Sequence, residues 1–525
     1  MSNAAQAITF PKTASPNTAS PKAAETTAKS GTPKLDANQI YDLRTALAFL
    51  EQIEGELIST NEPVDPVAEL CGVYRYVGAH GTVMRPTRLG PAMMFNKVKG
   101  YDDVRVVIGV LCKRERVAKL LGTTAGKLGH RLRDAVRNPI QPVMVSAEKA
   151  ACQEVVHLAT EKGFDIGKIL PAPTNTPEDA GPYFTMAHCY ATDPETGMSD
   201  VTIHRLCIQS PNTLSMYFAP GRHIDMFRKK AEAAGKSLAI SINIGVDPAI
   251  PMGACFEPPT TPLGFDELSI AGSLRGRAIE LVPCKSNGAK AIAHAEIVIE
   301  GELLPNVRVD EDQHTHTGKA MPEFPGYTGD SQNVPVIKVT AITHRKHPIL
   351  QTVIGPSEEH VNMAGIATEA SILTLVENAM PGFLLNVYQH PSGGGKFLSV
   401  MQVKKTIPSD EGRQRQAALL AFSAFIELKH VILVDEDVDI FDTDDVLWAM
   451  QTRYQGDRST VFIPGVRQHP LDPSARPEFD PSIRAPGISC KTIFDCTVPF
   501  DLKKHFERCK FMEVDVTRFI PGFVK

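Results

Sequence analysis

Between Asp200 and Gly272 the chain holds its most reactive combination of residue types. Asp200-Val-Thr-Ile-His-Arg205 places a carboxylate and a guanidinium five positions apart on one strand, His223 opens a helix eighteen residues later, and Glu267 precedes Leu-Ser-Ile-Ala-Gly272. Asp, His and Glu form an O/N/O donor set suited to Mn2+ or Mg2+ bearing phosphate and unsuited to a thiolate-seeking metal. Each residue alone also has an ordinary use, as strand-end cap, helix-start histidine or surface acid. Spacing leaves both readings open.

Other constellations are weaker. Gly393-Gly-Gly-Lys396 is followed by Phe397, where a Walker loop needs Ser or Thr, and no GxGxxG follows a strand. The run Val434-Asp-Glu-Asp-Val-Asp439 admits the DxD metal reading of glycosyltransferases. The favoured alternative is a strand end whose carboxylates face solvent and cap the next helix, because Asp442, Asp444 and Asp445 continue into a helix start. His314-Thr-His316 after Asp310-Glu-Asp312 offers metal donors too, but so polar a loop reads as exposed.

The elements that must position these groups fall into three regions. Asp42 caps a helix with Leu43, Leu47, Leu50 and Ile53 on one stripe, Val104 to Leu111 reads as helix or strand, and Arg114 to Leu121 as helix, which suggests a small α+β domain over 37–150. Over 151–350, strands such as Leu238 to Val246 and Ala295 to Gly301 alternate, with one amphipathic helix near His223 to Ala234. Asp247 to Cys255 reads as a loop whose glycine lets backbone approach a ligand. Over 351–525, helices at Ala364 to Ala379, Gly412 to Leu428 and Asp444 to Arg453 alternate with a buried strand at His430 to Val434, an α/β pattern ending in a terminal arm.

Composition excludes several classes. The 525 residues carry 55 Lys plus Arg against 60 Asp plus Glu, a net charge of −5, which argues against binding nucleic acid by phosphate neutralisation. The longest apolar run, Ala417 to Ile426, is closed by Glu427 at about half the length of a membrane helix, so no membrane span is expected. Ten scattered cysteines without a CxxC pair read as reduced thiols of a cytoplasmic protein. Residues 1–36 read as a disordered tail, since 22 of the first 34 are Ala, Thr, Ser or Pro. With no h-region a secretory signal is not expected, and without arginine a transit peptide is the weaker alternative.

Five blocks occur in the order seen in UbiD-family decarboxylases: Ser199 to Arg205, Gly221 to His223, Asp266 to Gly272, Ala295 to Gly301, and Met321-Pro-Glu-Phe-Pro-Gly-Tyr327. The chain resembles that family from about residue 40 to its C terminus. Gly355 to His360, Ser392 to Phe397, Gln402 to Lys405, Val434 to Asp439 and Gly487 to Cys496 look like its protocatechuate (3,4-dihydroxybenzoate) decarboxylases. The resemblance implies a multidomain α+β and α/β fold, with an N-terminal α+β domain, a central flavin-reductase-like split β-barrel and a C-terminal α/β oligomerisation domain.

It further implies a prenylated FMN in the barrel, its phosphate held through Mn2+ or Mg2+ on Asp200, His223 and Glu267. Relatives more often carry Asn at the first of these positions, so Asp200 adds a charge. K+ is implied near the backbone of Gly253 to Phe256 and Glu267. Flavin contacts are implied for Thr202, Ile203, His204, Arg205, Arg222, Ala254 and Cys255, and a phosphate contact for Lys405. Losing CO2 from an arene leaves charge on a ring carbon, for which the flavin is the electron sink. Glu323 is then the proton donor and Arg205 its bidentate partner. His360 and His469 hydrogen-bond or polarise ring hydroxyls, and Lys396 and Leu471 complete the substrate pocket. Thr328 stands where many relatives place a second acid, and Asp330 comes two later.

The activity implied is reversible decarboxylation of 3,4-dihydroxybenzoate to catechol, with gallate to pyrogallol beside it. A flavin prenyltransferase supplies the cofactor, and the chain assembles as a homo-oligomer, dimer or hexamer. Alternatives are another aromatic or heteroaromatic acid, a DxD glycosyltransferase, and a non-catalytic flavin carrier.

Overall fold

The long strands of the middle region close on themselves. In the computed structural model, which describes residues 35–81, 88–219 and 221–522, six strands pair antiparallel in a ring. Their circular order is Tyr183–Thr192, Ser199–Ser210, Thr213–Met216, Val334–His344, Ile297–Val309 and Leu238–Ile244, and the last returns to the first. Closure removes the sheet edges that would otherwise invite pairing with other chains. Along Leu238–Ile244, Ile240, Ile242 and Ile244 fill one face with Phe184, Leu206, Ile297 and Ile299. The opposite face is polar yet buried, and its groups are satisfied: Ser241 donates to the Lys290 carbonyl at 2.6 Å, and Asn243 Nδ2 to the His188 carbonyl at 3.0 Å.

Before the barrel, Asp42 caps the Leu43–Glu51 helix by accepting from the Thr45 amide at 2.8 Å. Leu43, Leu47 and Leu50 are buried, while Ile53 falls beyond the helix end. The ambiguous Val104 to Leu111 segment is a strand, Arg105–Ile108. Its sheet is completed by Ile349–Thr352, a strand that arrives after the barrel. The tail expected over 1–36 lies outside the described residues except for Leu35 and Asp36.

Two elements correct expectation. The loop expected over Asp247 to Cys255 contains a helical turn, Ala249–Gly253, started by the Asp247 carboxylate on the Ala249 amide at 2.8 Å. Gly253 is needed there because a Cβ would stand 2.8 Å from the Glu267 carbonyl. It permits close backbone packing. A second helix, Leu268–Arg275, joins the single one expected in this region.

The C-terminal region is a mixed five-stranded sheet ordered Leu384–Gln389, Leu398–Val403, His430–Asp435, Ile488–Asp495 and Thr460–Arg467, with helices Arg413–Ala424 and Thr443–Arg453. The Glu358–Ala379 helix starts six residues before the expected Ala364. Its extra turn is buried, and Glu359 accepts from the Gly109 and Leu111 amides at 2.8 and 2.9 Å, which ties it to the N-terminal sheet. The multidomain α+β architecture expected from the sequence is present. Among the described residues no helix is long and apolar enough to cross a membrane.

Candidate active site

Asp200 projects from the Ser199–Ser210 strand, His223 begins the His223–Ala233 helix, and Glu267 immediately precedes the Leu268–Arg275 helix. All three are buried and offer donor atoms lying within 4.8 Å of one another, the only such cluster among the described residues. Asp200 Oδ1 is 3.0 Å and Glu267 Oε1 4.0 Å from His223 Nδ1, and Glu267 Oε2 is buried with no partner. Burial and the Asp200 charge push the Glu267 carboxyl well above its ordinary value. At Asp200, burial also pushes upward, but hydrogen bonds with His223, Glu267 and Thr202 outweigh it. Two facing acids, an imidazole and an orphaned oxygen fit a divalent cation, which would relieve the repulsion.

Thr202 donates to Asp200 Oδ2 at 2.7 Å and also lines the adjoining cavity, of about 190 Å3. The same strand contributes Ile203, His204 and Arg205 to that wall, and Arg222, Ala254 and Cys255 join them. His204 donates from Nδ1 to the Tyr217 carbonyl at 3.0 Å, leaving Nε2 buried without a partner, as is Arg205 Nε. These orphaned polar atoms fit a polar cofactor against the strand. Arg222 meets Glu257 at 2.6 Å. Lys405 is not brought to the cavity. Its ammonium is spent on Glu411, Thr497 Oγ1 and the Val498 carbonyl, the last at 2.6 Å.

Across the cavity stand Glu323, His360, Lys396, His469 and Leu471. A hairpin in which Pro322 bridges Thr328 presents Glu323 to Arg205 Nη1. Gly329 makes the pair possible, since a Cβ there would lie 2.4 Å from Arg205 Nη1. Thr328 is exposed, and the exposed Asp330 carboxylate turns to Arg476 at 3.5 Å. His360 stacks on Phe324 with ring centroids 5.5 Å apart. Burial, then the Lys396 and His469 charges, push its imidazole down to about 3, so it is neutral at ordinary pH. His469 accepts at Nδ1 from the Leu471 amide at 3.0 Å, and burial pushes it down to about 4.

Two acids escaped sequence reasoning. Glu311, in the loop taken as exposed, is fully buried against Arg205. Glu427, noted only for closing an apolar run, takes a hydrogen bond from Lys396 at 2.9 Å. The metal donors considered at Asp310 to His316 and in Val434 to Asp439 do not assemble. Asp437 pairs with Arg453 and Arg508, while Asp435, expected to face solvent, is buried beside Arg453. Asp442 does cap the following helix.

Three family models span most of the chain: the N-terminal, Rift-related and C-terminal domains of 3-octaprenyl-4-hydroxybenzoate carboxy-lyase match residues 47–136, 143–358 and 361–496. Gallate decarboxylase of Lactiplantibacillus plantarum is 55% identical over 481 residues, 91% of this chain and 98% of that protein. The apo structure of 3,4-dihydroxybenzoic acid decarboxylase from Enterobacter cloacae is 61% identical with a TM-score of 0.87, covering 92% of this chain and 99% of that one. An evolved dimeric form of the UbiD-class enzyme HmfF from Pelotomaculum thermopropionicum, in complex with prFMN, is 34% identical with a TM-score of 0.78, covering 91% and 100%. With its three domains matched in order and its buried O/N/O cluster beside an Arg–Glu pair, the chain belongs to the UbiD family.

Proposed function

We propose that this protein is a prenylated-FMN-dependent decarboxylase that converts 3,4-dihydroxybenzoate to catechol and CO2, reversibly, and gallate to pyrogallol. The observation that carries the reading is the Arg205–Glu323 pair in the wall of a cavity that also holds His360 and Lys396 and adjoins the Asp200, His223 and Glu267 donors. Relatives named for gallate and 3,4-dihydroxybenzoic acid, at 55% and 61% identity, support the substrate class.

Asp200, His223 and Glu267 would hold Mn2+ or Mg2+ against the cofactor phosphate, with Arg222 close by and K+ near the Gly253 to Phe256 backbone. Thr202, Ile203, His204, Ala254 and Cys255 would contact the flavin. When bound, the prenylated flavin supplies the electron sink that a departing carboxylate requires. Glu323 returns a proton to the vacated ring carbon, and Arg205 fixes the carboxyl's position and steadies the carboxylate left behind. His360, kept neutral, hydrogen-bonds a ring hydroxyl without adding charge to the pocket. Lys396 and His469 form the polar end of the pocket, and Leu471 closes against the ring.

The same reading divides the chain at about 150 and 350, joins copies through the C-terminal region, places the protein in the cytoplasm and draws cofactor from a flavin prenyltransferase. The test is protein coexpressed with such a transferase and given protocatechuate, gallate and other aromatic acids side by side. Catechol from protocatechuate is expected. Cofactor-loaded protein that turns over only a different acid would replace the substrate assignment.

A further inference from the structure

The Gly393-Gly-Gly-Lys396 motif, which fails as a phosphate loop, serves the cavity instead. Gly395 has a φ of +72°, and a Cβ on it would stand 2.7 Å from the Val361 carbonyl, so the loop lies flush on the first turn of the Glu358–Ala379 helix, beside His360. Lys396 is thereby set into the cavity wall, and its ammonium donates to Glu427 Oε2 at 2.9 Å, its one hydrogen bond among the described residues. The same acid fixes His469. Its Nδ1 accepts from the Leu471 amide at 3.0 Å, which leaves the ring hydrogen on Nε2, 3.4 Å from Glu427 Oε2. Glu427 stands behind both side chains, one layer back from the lining.

Held this way, the polar end presents a countable set of groups. Lys396 keeps two N–H donors, and His469 offers neither a lone pair nor a hydrogen. His360, which makes no hydrogen bond among the described residues, supplies one donor and one lone pair. A ring bearing two adjacent hydroxyls turns one O–H onto its neighbour, so it has one O–H left to give and two oxygens that accept. The His360 lone pair takes that hydrogen, and the two Lys396 donors meet the two oxygens. A ring with a single hydroxyl engages His360 and one Lys396 donor, and it leaves an ammonium hydrogen unpaired in a closed pocket.

Resting on the decarboxylase reading above, we infer that Glu427 is a specificity-determining positioning residue, which makes this end of the pocket demand two adjacent ring oxygens. It acts by taking one Lys396 hydrogen and by turning the His469 hydrogen away from the ligand. Without it the ammonium regains a third donor and the freedom to swing, and His469 can serve a lone hydroxyl.

The test is calorimetric binding of catechol and of phenol to the cofactor-loaded protein. The wild type is expected to hold catechol about tenfold or more tighter than phenol, and Glu427→Gln to bring the two within about threefold. Glu427→Asp, which keeps the charge, should recover part of the gap. The double variant Lys396→Met with Glu427→Leu strands no charge. It should discriminate no better than Glu427→Gln, and it carries the test if that protein fails to fold. Turnover gives a second readout: Glu427→Gln should raise KM for protocatechuate about tenfold and lower kcat less than about threefold, because it loses recognition of ring oxygens and keeps Glu323. A gap that survives in these variants, or that the wild type lacks, overturns the inference. A gap lost with Glu427 in a protein that decarboxylates no hydroxybenzoate would sink the substrate reading and uphold this one.

Discussion

Lys396 and Glu427, thirty-one positions apart, meet at 2.9 Å in the wall of the cavity, and the same Glu427 oxygen lies 3.4 Å from His469 Nε2. Burial disfavours the Glu427 charge, yet His469, Lys396 and Arg222 hold its carboxyl below the usual range. Both nitrogens of His469 are therefore engaged, Nδ1 by the Leu471 amide and Nε2 by Glu427. The pocket's positive charge is matched from outside the substrate.

Glu427→Gln strands a buried ammonium and should cost about 3 kcal/mol of stability. The double variant Lys396→Met with Glu427→Leu, which removes both charges, should lose less than Glu427→Gln alone. Denaturant unfolding of the three proteins checks this. Equal losses would mean that the pair is not coupled.

Glu323→Gln should retain flavin and lose turnover by about 10²- to 10⁴-fold, the usual worth of a positioned general acid. The measurement is kcat alongside the flavin spectrum of the same sample.

His223→Ala removes the nitrogen donor from the buried cluster. The purified variant should lack both flavin absorbance and bound Mn2+, while its folded secondary structure, read by circular dichroism, persists.

The donor set was legible in residue types and spacing as one of two readings, and the resemblance to the UbiD family decided between them. Asp200 lies on a strand, His223 at a helix start and Glu267 just ahead of a helix, positions that also have ordinary uses. Glu311 and Glu427 were not legible, because what brings them to the site is a partner 106 and 31 residues away, and each is buried in a segment whose composition reads as surface or as the end of a run. The Ala249–Gly253 turn is too short for a helical period to register, and the acids Glu358 and Glu359 hid the start of a helix that buries them. Closure of the barrel follows from pairings between strands as distant as Leu238–Ile244 and Ile297–Val309, beyond what alternation within either strand conveys.

His188 is fully buried in the barrel wall, donating from Nδ1 to the Asn243 carbonyl at 3.0 Å, and burial pushes it down to about 4. Its folded value lies below the unfolded one, so the unfolded chain binds more protons between them. Stability is whole above about pH 6.5 and falls as pH drops towards about 4, by on the order of 3 kcal/mol from this group. Chemical denaturation across that range should show the slope, and His188→Gln should flatten it.

The central claim is that Glu323 hands a proton to the carbon that loses CO2 in this cavity. Cofactor-loaded enzyme turning over protocatechuate in D2O, followed by NMR of the product, tests it most directly. The account predicts catechol with a single deuterium at the vacated carbon, formed by the wild type and abolished by Glu323→Gln. Catechol formed with the same deuterium at an undiminished rate by Glu323→Gln, or loaded wild type that leaves protocatechuate and gallate untouched, would contradict it.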